Sequence, residues 1–592
     1  MKNLFVILLL VNVVLSAQAM INVDARKTTS LNGKWNVIID PYENGYYDYR
    51  YEPSNNGYFK NAQQNERWEL LEYSFDTDEM LYVPGDWNSQ KEKLLYYEGT
   101  IWYKKSFNYN LPKEKRLFLY FGAVNYDAKV YLNGELIGEH EGGFTPFQFE
   151  ITDKVKEKGN YVIVKADNKR YKDAVPTVNT DWYNYGGITR KVLLIETEET
   201  FVQDYFIQLE KGNLNKISGW VKLNGNHLNK KLEIKIPEAE IYKAVNTDDN
   251  GFAKFEIEKK MELWSPENPK LYDVELILGE CVIADKVGFR TIETRGTDIL
   301  LNGKSVFLRG ICLHEEAAYQ NGGRAFSKDH AKVLLGWAKD LSCNYVRLAH
   351  YTHNEAMVRY ADEIGLLVWA EVPVYWTISW ENEATYKNAE NQLTEMITRD
   401  RNRCAVALWS MANETPLSEA RFKFLSKLAK KAKELDPSRL ITAAMERHYS
   451  DDNTLIIDDE FGKVVDVLGC NAYIGWYDGL PEKCRGIKWE TVYDKPVIIS
   501  EFGGGALFGE HGDKLTRWSE EFQESLYKEN LEMFKKVSFI QGLTPWILKD
   551  FKSPRRHKPR IQNFWNMKGL ISDKGDKKKA YYVLKNFYET IK

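Results

Sequence analysis

A jelly-roll β-sandwich, an immunoglobulin-like β-sandwich and a C-terminal (β/α)8 TIM barrel are the fold that the sequence predicts, on three observations. Short alternating strands separated by turn residues run from Ile21 to about Thr197. Spaced strands in shorter compass continue from about Glu198 to Gly288. After about Phe289 strand-like runs alternate with helix-period segments to the C-terminus. At 592 residues the chain is too long for one core, so these changes of rhythm read as domain boundaries. The expected division is a signal peptide at 1–19, the jelly roll at 20–197, the second sandwich at 198–288 and the barrel at 289–592.

The leader comes first. Met1-Lys2-Asn3 is a short basic start, Leu4 to Leu15 is almost entirely apolar, and Ala17-Gln18-Ala19 is a small-residue cleavage signal. Export to the periplasm or medium is therefore expected, without a lipid anchor, since no cysteine follows the apolar run. No other stretch approaches the roughly 20 apolar residues of a membrane span.

In the jelly roll, Thr100 to Phe107, Arg116 to Phe121 and Ala128 to Leu132 alternate, and Asn133-Gly134 after the last is a strong hairpin signal. In the second sandwich the strands are Lys216 to Leu223, Leu232 to Ile236, Phe252 to Ile257 and Leu271 to Leu278. Pro266 and Pro269 keep the connection between the last two irregular. The barrel strands are Phe307 to Cys312, Asn344 to His350, Leu366 to Val372, Val406 to Ala412, Leu440 to Met445, Val465 to Ala472, Pro496 to Ser500 and Phe539 to Trp546. Between most lie amphipathic helices, as where Leu425, Leu428, Ala429, Ala432 and Leu435 share one face.

Composition narrows the function. Lys+Arg number 81 against Asp+Glu 85, so no basic field exists to hold nucleic acid. The six cysteines show no CxxC or other metal-ligand spacing, and Cys312, Cys343 and Cys470 lie in apolar runs, so mostly free, buried thiols are expected and zinc is not. The 17 Trp, 36 Tyr and 27 Phe suit β-rich cores and also sugar-binding clefts.

Barrel enzymes work at the C-terminal ends of their strands. Here these ends carry His314-Glu315-Glu316, His350-Tyr351, Glu371, Asn413-Glu414, Tyr473 and Tyr477, Glu501 and Trp546. Two glutamates at apolar strand ends, among aromatics and amides, match what a retaining glycosidase needs: one carboxyl protonated as acid, one ionised as nucleophile. Asn413 is placed to bind a sugar hydroxyl. Neither a metal nor an organic cofactor is required by that chemistry.

Trp409-Ser410-Met411-Ala412-Asn413-Glu414 and Ile498-Ile499-Ser500-Glu501-Phe502-Gly503 resemble the acid/base and nucleophile motifs of glycoside hydrolase family 2. Asn344 to Tyr351, Arg309 to Glu315, Gly186-Gly187-Ile188-Thr189-Arg190 and Leu263-Trp264-Ser265-Pro266 are similar to further family motifs in the same order. The resemblance implies catalysis by Glu414 and Glu501. Within the family, Asn566-Met567-Lys568 resembles the Asn-x-Lys pattern by which β-glucuronidases hold the C6 carboxylate, a group that a neutral sugar lacks. By the same resemblance Asp181 reaches into the sugar pocket from the jelly roll, Tyr473 and Tyr477 stand near nucleophile and carboxylate, and His350 and Trp546 form pocket wall.

One departure stands out: Gln562 is found where the best-known glucuronidases have an arginine shortly before Asn-x-Lys, with Arg560 nearby. Galacturonide thus stays open beside glucuronide. The basic run Lys552 to Arg560 reads either as a structural loop or as an extra subsite for anionic substrates. The connection from Val372 to Lys387 is shorter than the lid that resembling enzymes of small drug-type glucuronides carry. Its Trp376, Trp380 and Tyr386 either stack on a sugar chain in an open cleft or pack the barrel rim.

The expected function is an exported retaining exo-β-glucuronidase acting on glucuronides or uronic-acid-ended oligosaccharides. The rivals are a β-galactosidase or β-galacturonidase of the same family, and a catalytically silent sugar-binding protein, against which both glutamates speak. A homo-oligomer is compatible with this reading.

Overall fold

The computed structural model of the chain describes residues 18–53, 64, 66–69, 71, 73–76, 79–226, 228–319 and 322–591. Residues 1–17 of the expected signal peptide lie outside the described residues.

Alternation of apolar and polar residues builds a first sandwich of two sheets. One holds, in spatial order, Lys27–Ser30, Val192–Glu198, Lys115–Phe121 and Phe147–Glu150. The other holds Met80–Val83, Gly33–Asp40, Thr100–Phe107, Asn160–Asp167, Asp127–Leu132 and Glu135–Glu141. Their inner faces meet over Trp35, Leu119, Phe121, Val130 and Val164, all withdrawn from solvent. At the Asn133-Gly134 hairpin both turn residues have positive φ, 52° and 91°, and Leu132 pairs with Glu135. That is the twist-matched two-residue turn for which Asn-Gly is suited.

The second sandwich sets Phe201–Leu209, Lys216–Asn224 and Phe252–Glu258 against Ile241–Asn246, Lys231–Ile236, Tyr272–Leu278 and Cys281–Val287. Val221, Ile234 and Leu276 fill the space between.

The remaining chain closes into a parallel barrel. Its strands are β1 (Leu308–Arg309 and Cys312–Leu313), β2 (Tyr345–Leu348), β3 (Leu367–Glu371), β4 (Val406–Asn413), β5 (Leu440–Met445), β6 (Leu468–Asn471), β7 (Val497–Glu501) and β8 (Ile540–Leu543). β1 is split because it changes partner: Leu308 and Arg309 pair with β8, Cys312 and Leu313 with β2. The bend needs Gly310, where a Cβ would stand 2.4 Å from the Tyr345 ring and 2.9 Å from the Leu543 carbonyl oxygen. Outside lie α1 (Lys328–Asp340), α2 (Glu355–Ile364), α3 (Glu383–Asp400), α4 (Glu419–Leu435), α5 (Glu520–Phe534) and α6 (Lys579–Thr590). The fifth and sixth repeats use short 3-10 turns, Glu460–Lys463 and Pro481–Arg485, in place of α-helices.

α3 starts earlier than its pattern suggested, at Glu383 rather than near Asn388. Asn382 caps it by accepting from the Ala384 and Thr385 N–H groups at 2.8 and 3.4 Å. The connection after β3 is therefore shorter still, Val372 to Asn382.

Two of the family-like motifs prove to be seams. Arg190 Nη2 donates to Glu315 at 3.1 Å and to the Thr352 carbonyl at 2.7 Å, tying the jelly roll to the end of β1. Trp264, fully buried, donates its indole N–H to the Asp362 carbonyl of α2 at 2.9 Å. The first seam brings Asp181 and Trp182 to the barrel mouth. All six cysteines are free thiols; five are buried and Cys281 is half-buried. Among the described residues no helix is long and apolar enough to cross a membrane, and no cluster of three or more His, Cys, Asp or Glu is placed to hold a metal ion.

Candidate active site

Two carboxyls stand at neighbouring parts of the barrel mouth. Glu501 is the last residue of β7, and Glu414 follows the last residue of β4. Between them lies β6, whose Asn471 links both sides: its Nδ2 donates to Glu414 Oε1 at 2.9 Å and its Oδ1 accepts from Ser500 Oγ at 2.7 Å.

Glu414 is held in the left-handed region, φ 48°, by its N–H bond to the Ala444 carbonyl of β5 at 2.9 Å. A glutamate rarely adopts that conformation, and such backbone strain concentrates at functional sites. Opposite it Trp376 also has positive φ, 55°; its N–H bonds the Asn413 carbonyl, and its indole donates to Glu414 Oε2 at 2.8 Å.

Glu501 sits deeper. Arg347 Nη1 donates to its Oε1 at 2.9 Å and Tyr473 OH to its Oε2 at 2.6 Å, with His350 Nε2 at 3.7 Å from Oε1. Burial raises the Glu501 carboxyl; the Arg347 charge opposes this, the Glu414 carboxylate reinforces it, and the net direction is upward.

Arg347 organises the floor. Fully buried on β2, it also donates to Glu371 at 3.1 Å and to Asn413 Oδ1 at 2.7 Å. Burial pushes the Glu371 carboxyl up, but Arg347 first and His350 second overcome it and hold the group at about 2. Glu371 is thus an ionised structural partner, not a proton donor. Asn413 Nδ2 is buried and has no hydrogen-bond partner among the described residues.

The pocket wall is aromatic. Trp546, 4% exposed, stacks on His350 with centroids 4.8 Å apart, and Trp182 meets His350, Tyr351 and Tyr375 within 4.9–5.8 Å. At the far side lie Asn566 and Lys568, in and beyond a two-stranded ribbon of Phe551–Lys552 and Trp565–Asn566. Lys568 Nζ is 2.8 Å from Tyr477 OH and 5.4 Å from the Tyr473 ring centre. Asn566 Nδ2 reaches Asp181 Oδ2 at 3.4 Å.

Asp181 does not stand free in the pocket. Ser553 Oγ donates to it at 2.6 Å and Arg556 clasps it through Nε at 3.0 Å and through Nη2. Much of the Tyr477 ring is exposed, but its hydroxyl faces Lys568. Burial of that hydroxyl raises its pKa, the Lys568 and then the Arg556 charges outweigh this, and the phenol lies below its ordinary value.

The structure brings Glu414, Glu501, Asn413, His350, Tyr473, Tyr477, Trp546, Asp181, Asn566 and Lys568 to this one mouth. Sequence reasoning gave no role to Arg347, Asn471 and Arg556. Arg347 carried a signal, a charge inside the apolar strand Tyr345–Leu348; Asn471, the last residue of β6, carried none, and Arg556 was not told apart from the rest of the basic run. Of Trp376, Trp380 and Tyr386, Trp376 touches the site, beside Tyr375 of the pocket wall. Trp380 and Tyr386 pack edge-on against Phe424 of α4, as barrel rim.

Compared with known proteins, residues 292–592 match the family described as glycosyl hydrolases family 2, TIM barrel domain; residues 28–198 match its sugar binding domain and 200–290 a further family 2 domain. The chain is 28% identical over 575 residues to a β-glucuronidase of Streptococcus agalactiae, covering 87% of this chain and 93% of that one. Among solved structures it resembles a family 2 β-galacturonidase of Eisenbergiella tayi bound to galacturonate, with a TM-score of 0.79, 25% identity and coverage of 96% and 98%. It resembles equally a β-glucuronidase of Ruminococcus gnavus in complex with D-glucuronic acid, with a TM-score of 0.77, 25% identity and coverage of 95% and 98%.

Proposed function

The chain belongs to glycoside hydrolase family 2 and is a glycoside hydrolase, and from that premise we propose that it is an exported, retaining exo-β-glucuronidase. Glu501 attacks the anomeric carbon while Glu414 protonates the leaving oxygen; Glu414 then takes a proton from water, whose oxygen releases glucuronic acid from Glu501. Arg347 and Tyr473 stabilise the Glu501 anion before attack. Asn413 Nδ2 donates to a hydroxyl of the bound sugar, while its Oδ1 stays with Arg347.

The observation that carries the uronide reading is the pair of cations, Lys568 and Arg556, converging on Tyr477 one aromatic ring away from Glu501. A C6 carboxylate completes that arrangement, and a neutral sugar leaves Lys568 bonded to a phenol alone. Arg556 supplies the guanidinium that Gln562 does not. The Eisenbergiella relative and the altered arginine position support β-galacturonide as the second reading. Aryl β-glucuronide, β-galacturonide, β-galactoside and β-glucoside compared by kcat/KM decide; leading turnover of a neutral glycoside overturns the uronide reading.

The pH profile follows from the burial of Glu501. A raised pKa means that the ionised nucleophile is lost as pH falls through that value, so the acid limb of kcat/KM should have its midpoint above the ordinary 4.5. A midpoint below 4.5 would contradict this electrostatic account.

Substrate size and location belong to the same proposal. The connection Val372 to Asn382 is too short to fold over the aglycone side, which favours oligosaccharides ending in β-linked glucuronic acid over small aryl glucuronides. The check is kcat/KM on one of each; action on the aryl compound with none on the oligosaccharide would refute it. Export rests on the leader at 1–19, and N-terminal sequencing of the protein from periplasm and medium tests it.

A further inference from the structure

The basic run after β8 splits into residues with different duties. Arg556 holds Asp181 and faces Tyr477, at the uronide end of the pocket. Its neighbour Arg555 turns the other way: the guanidinium carbon lies 4.6 Å over the Trp376 ring, and Nη1 donates to Asn179 Oδ1 at 2.5 Å. Trp376 in turn holds Glu414 through its indole N–H. The group that protonates the leaving oxygen lies beside the sugar that leaves. Arg555 is therefore one aromatic ring away from the aglycone position, on the opposite side of Glu414 from the pair formed with Asn471.

The neighbours of Arg555 do not explain its charge. Among the described residues it makes no ion pair within 4.0 Å, and its one hydrogen-bond partner is a neutral amide. Stacking on Trp376 fixes the plane of the guanidinium of this exposed residue and leaves further donors open to solvent, the arrangement in which arginine binds planar or tetrahedral anions through two donors. A hydroxylated neutral sugar would gain ordinary hydrogen bonds there, a charged one charge-assisted bonds.

We propose that Arg555, set on Trp376, forms an aglycone subsite for a sugar that bears an anionic group, either a carboxylate or a sulfate ester. This inference rests on the assignment of Glu414 as the acid and does not depend on which sugar occupies the pocket near Lys568. With Lys568 and Arg556 at the other end, the site takes an anionic residue on each side of the scissile bond. Its natural substrate is then a polyanionic oligosaccharide.

The test uses the full chain and three disaccharides that share the non-reducing sugar preferred in the aryl panel. Their reducing-side sugar is neutral, sulfated or carboxylated. The anionic compounds should exceed the neutral one in kcat/KM by roughly 5- to 30-fold, between the worth of an exposed pair and of a charge-assisted bond. In Arg555→Ala that ratio should fall to about one, and in Arg555→Lys it should be partly kept, since the charge stays and the fork is lost. The sulfated and carboxylated arms show which anion is favoured. A wild-type ratio near one for both, or a ratio unchanged in Arg555→Ala, overturns the proposal. The ratio is a readout that general loosening of the loop would not move, because all three substrates share the catalytic apparatus. The aryl panel tests the uronide reading separately.

Discussion

Glu501→Gln should lower kcat on an aryl glucuronide by about 10⁴-fold or more while leaving substrate binding nearly intact. The amide keeps the size of the carboxyl, and Arg347 keeps its contacts to Glu371, Asn413 and the Ser500 carbonyl, so the floor has reason to hold. What is lost is the anion that forms the bond to the anomeric carbon. The measurement is kcat together with the binding constant for a uronic acid product. Near-normal turnover would show that the attacking group is elsewhere. Glu414→Gln gives a different signature. Its loss should be far greater for a poor leaving group than for nitrophenol, which departs with little protonation. Equal losses on both would remove Glu414 from the role of acid.

The fold class was legible because it depends on periodicity, which the chain states openly. Alternation in Thr100 to Phe107, the Asn133-Gly134 turn and the succession of apolar strands with amphipathic helices are each local signals. The small misplacement of α3 has a local cause: its start was set near Asn388, and the cap formed by Asn382 shows only in which side chain faces the exposed N–H groups. The strand-end rule found Glu414 and Glu501 because a carboxylate at the end of a buried strand is costly unless something uses it. The connecting groups were less legible. Arg347 works through five partners, His350, Glu371, Asn413, Ser500 and Glu501, and Asp181 meets Arg556 across a domain seam. Neither relation has a sequence period. Arg555 and Arg556 are adjacent and identical in type, so sequence alone cannot divide their duties. Only the opposite directions in which they turn do so.

Lys568→Ala should reduce glucuronide kcat/KM by roughly 2–4 kcal/mol, the scale for leaving a buried charge without its partner. Lys568 is 5% exposed, and its ammonium lies over the rings of Tyr473 and Tyr477, 5.4 and 4.9 Å from their centres. Removing it leaves a docked carboxylate with Arg556, which is already engaged by Asp181, and with the Asn566 amide. Activity on a neutral galactoside, which brings no carboxylate, should be spared or should gain relative to the uronide. That contrast separates recognition from support, since the Lys568 N–H also bonds Asn566 Oδ1 at 3.2 Å through the backbone, which alanine retains. Lys568→Met, which keeps the bulk beside the two tyrosines, should behave like alanine on the uronide. If both substrates fell alike in both variants, Lys568 would be a packing residue and the uronide reading would lose the cation on which it chiefly rests.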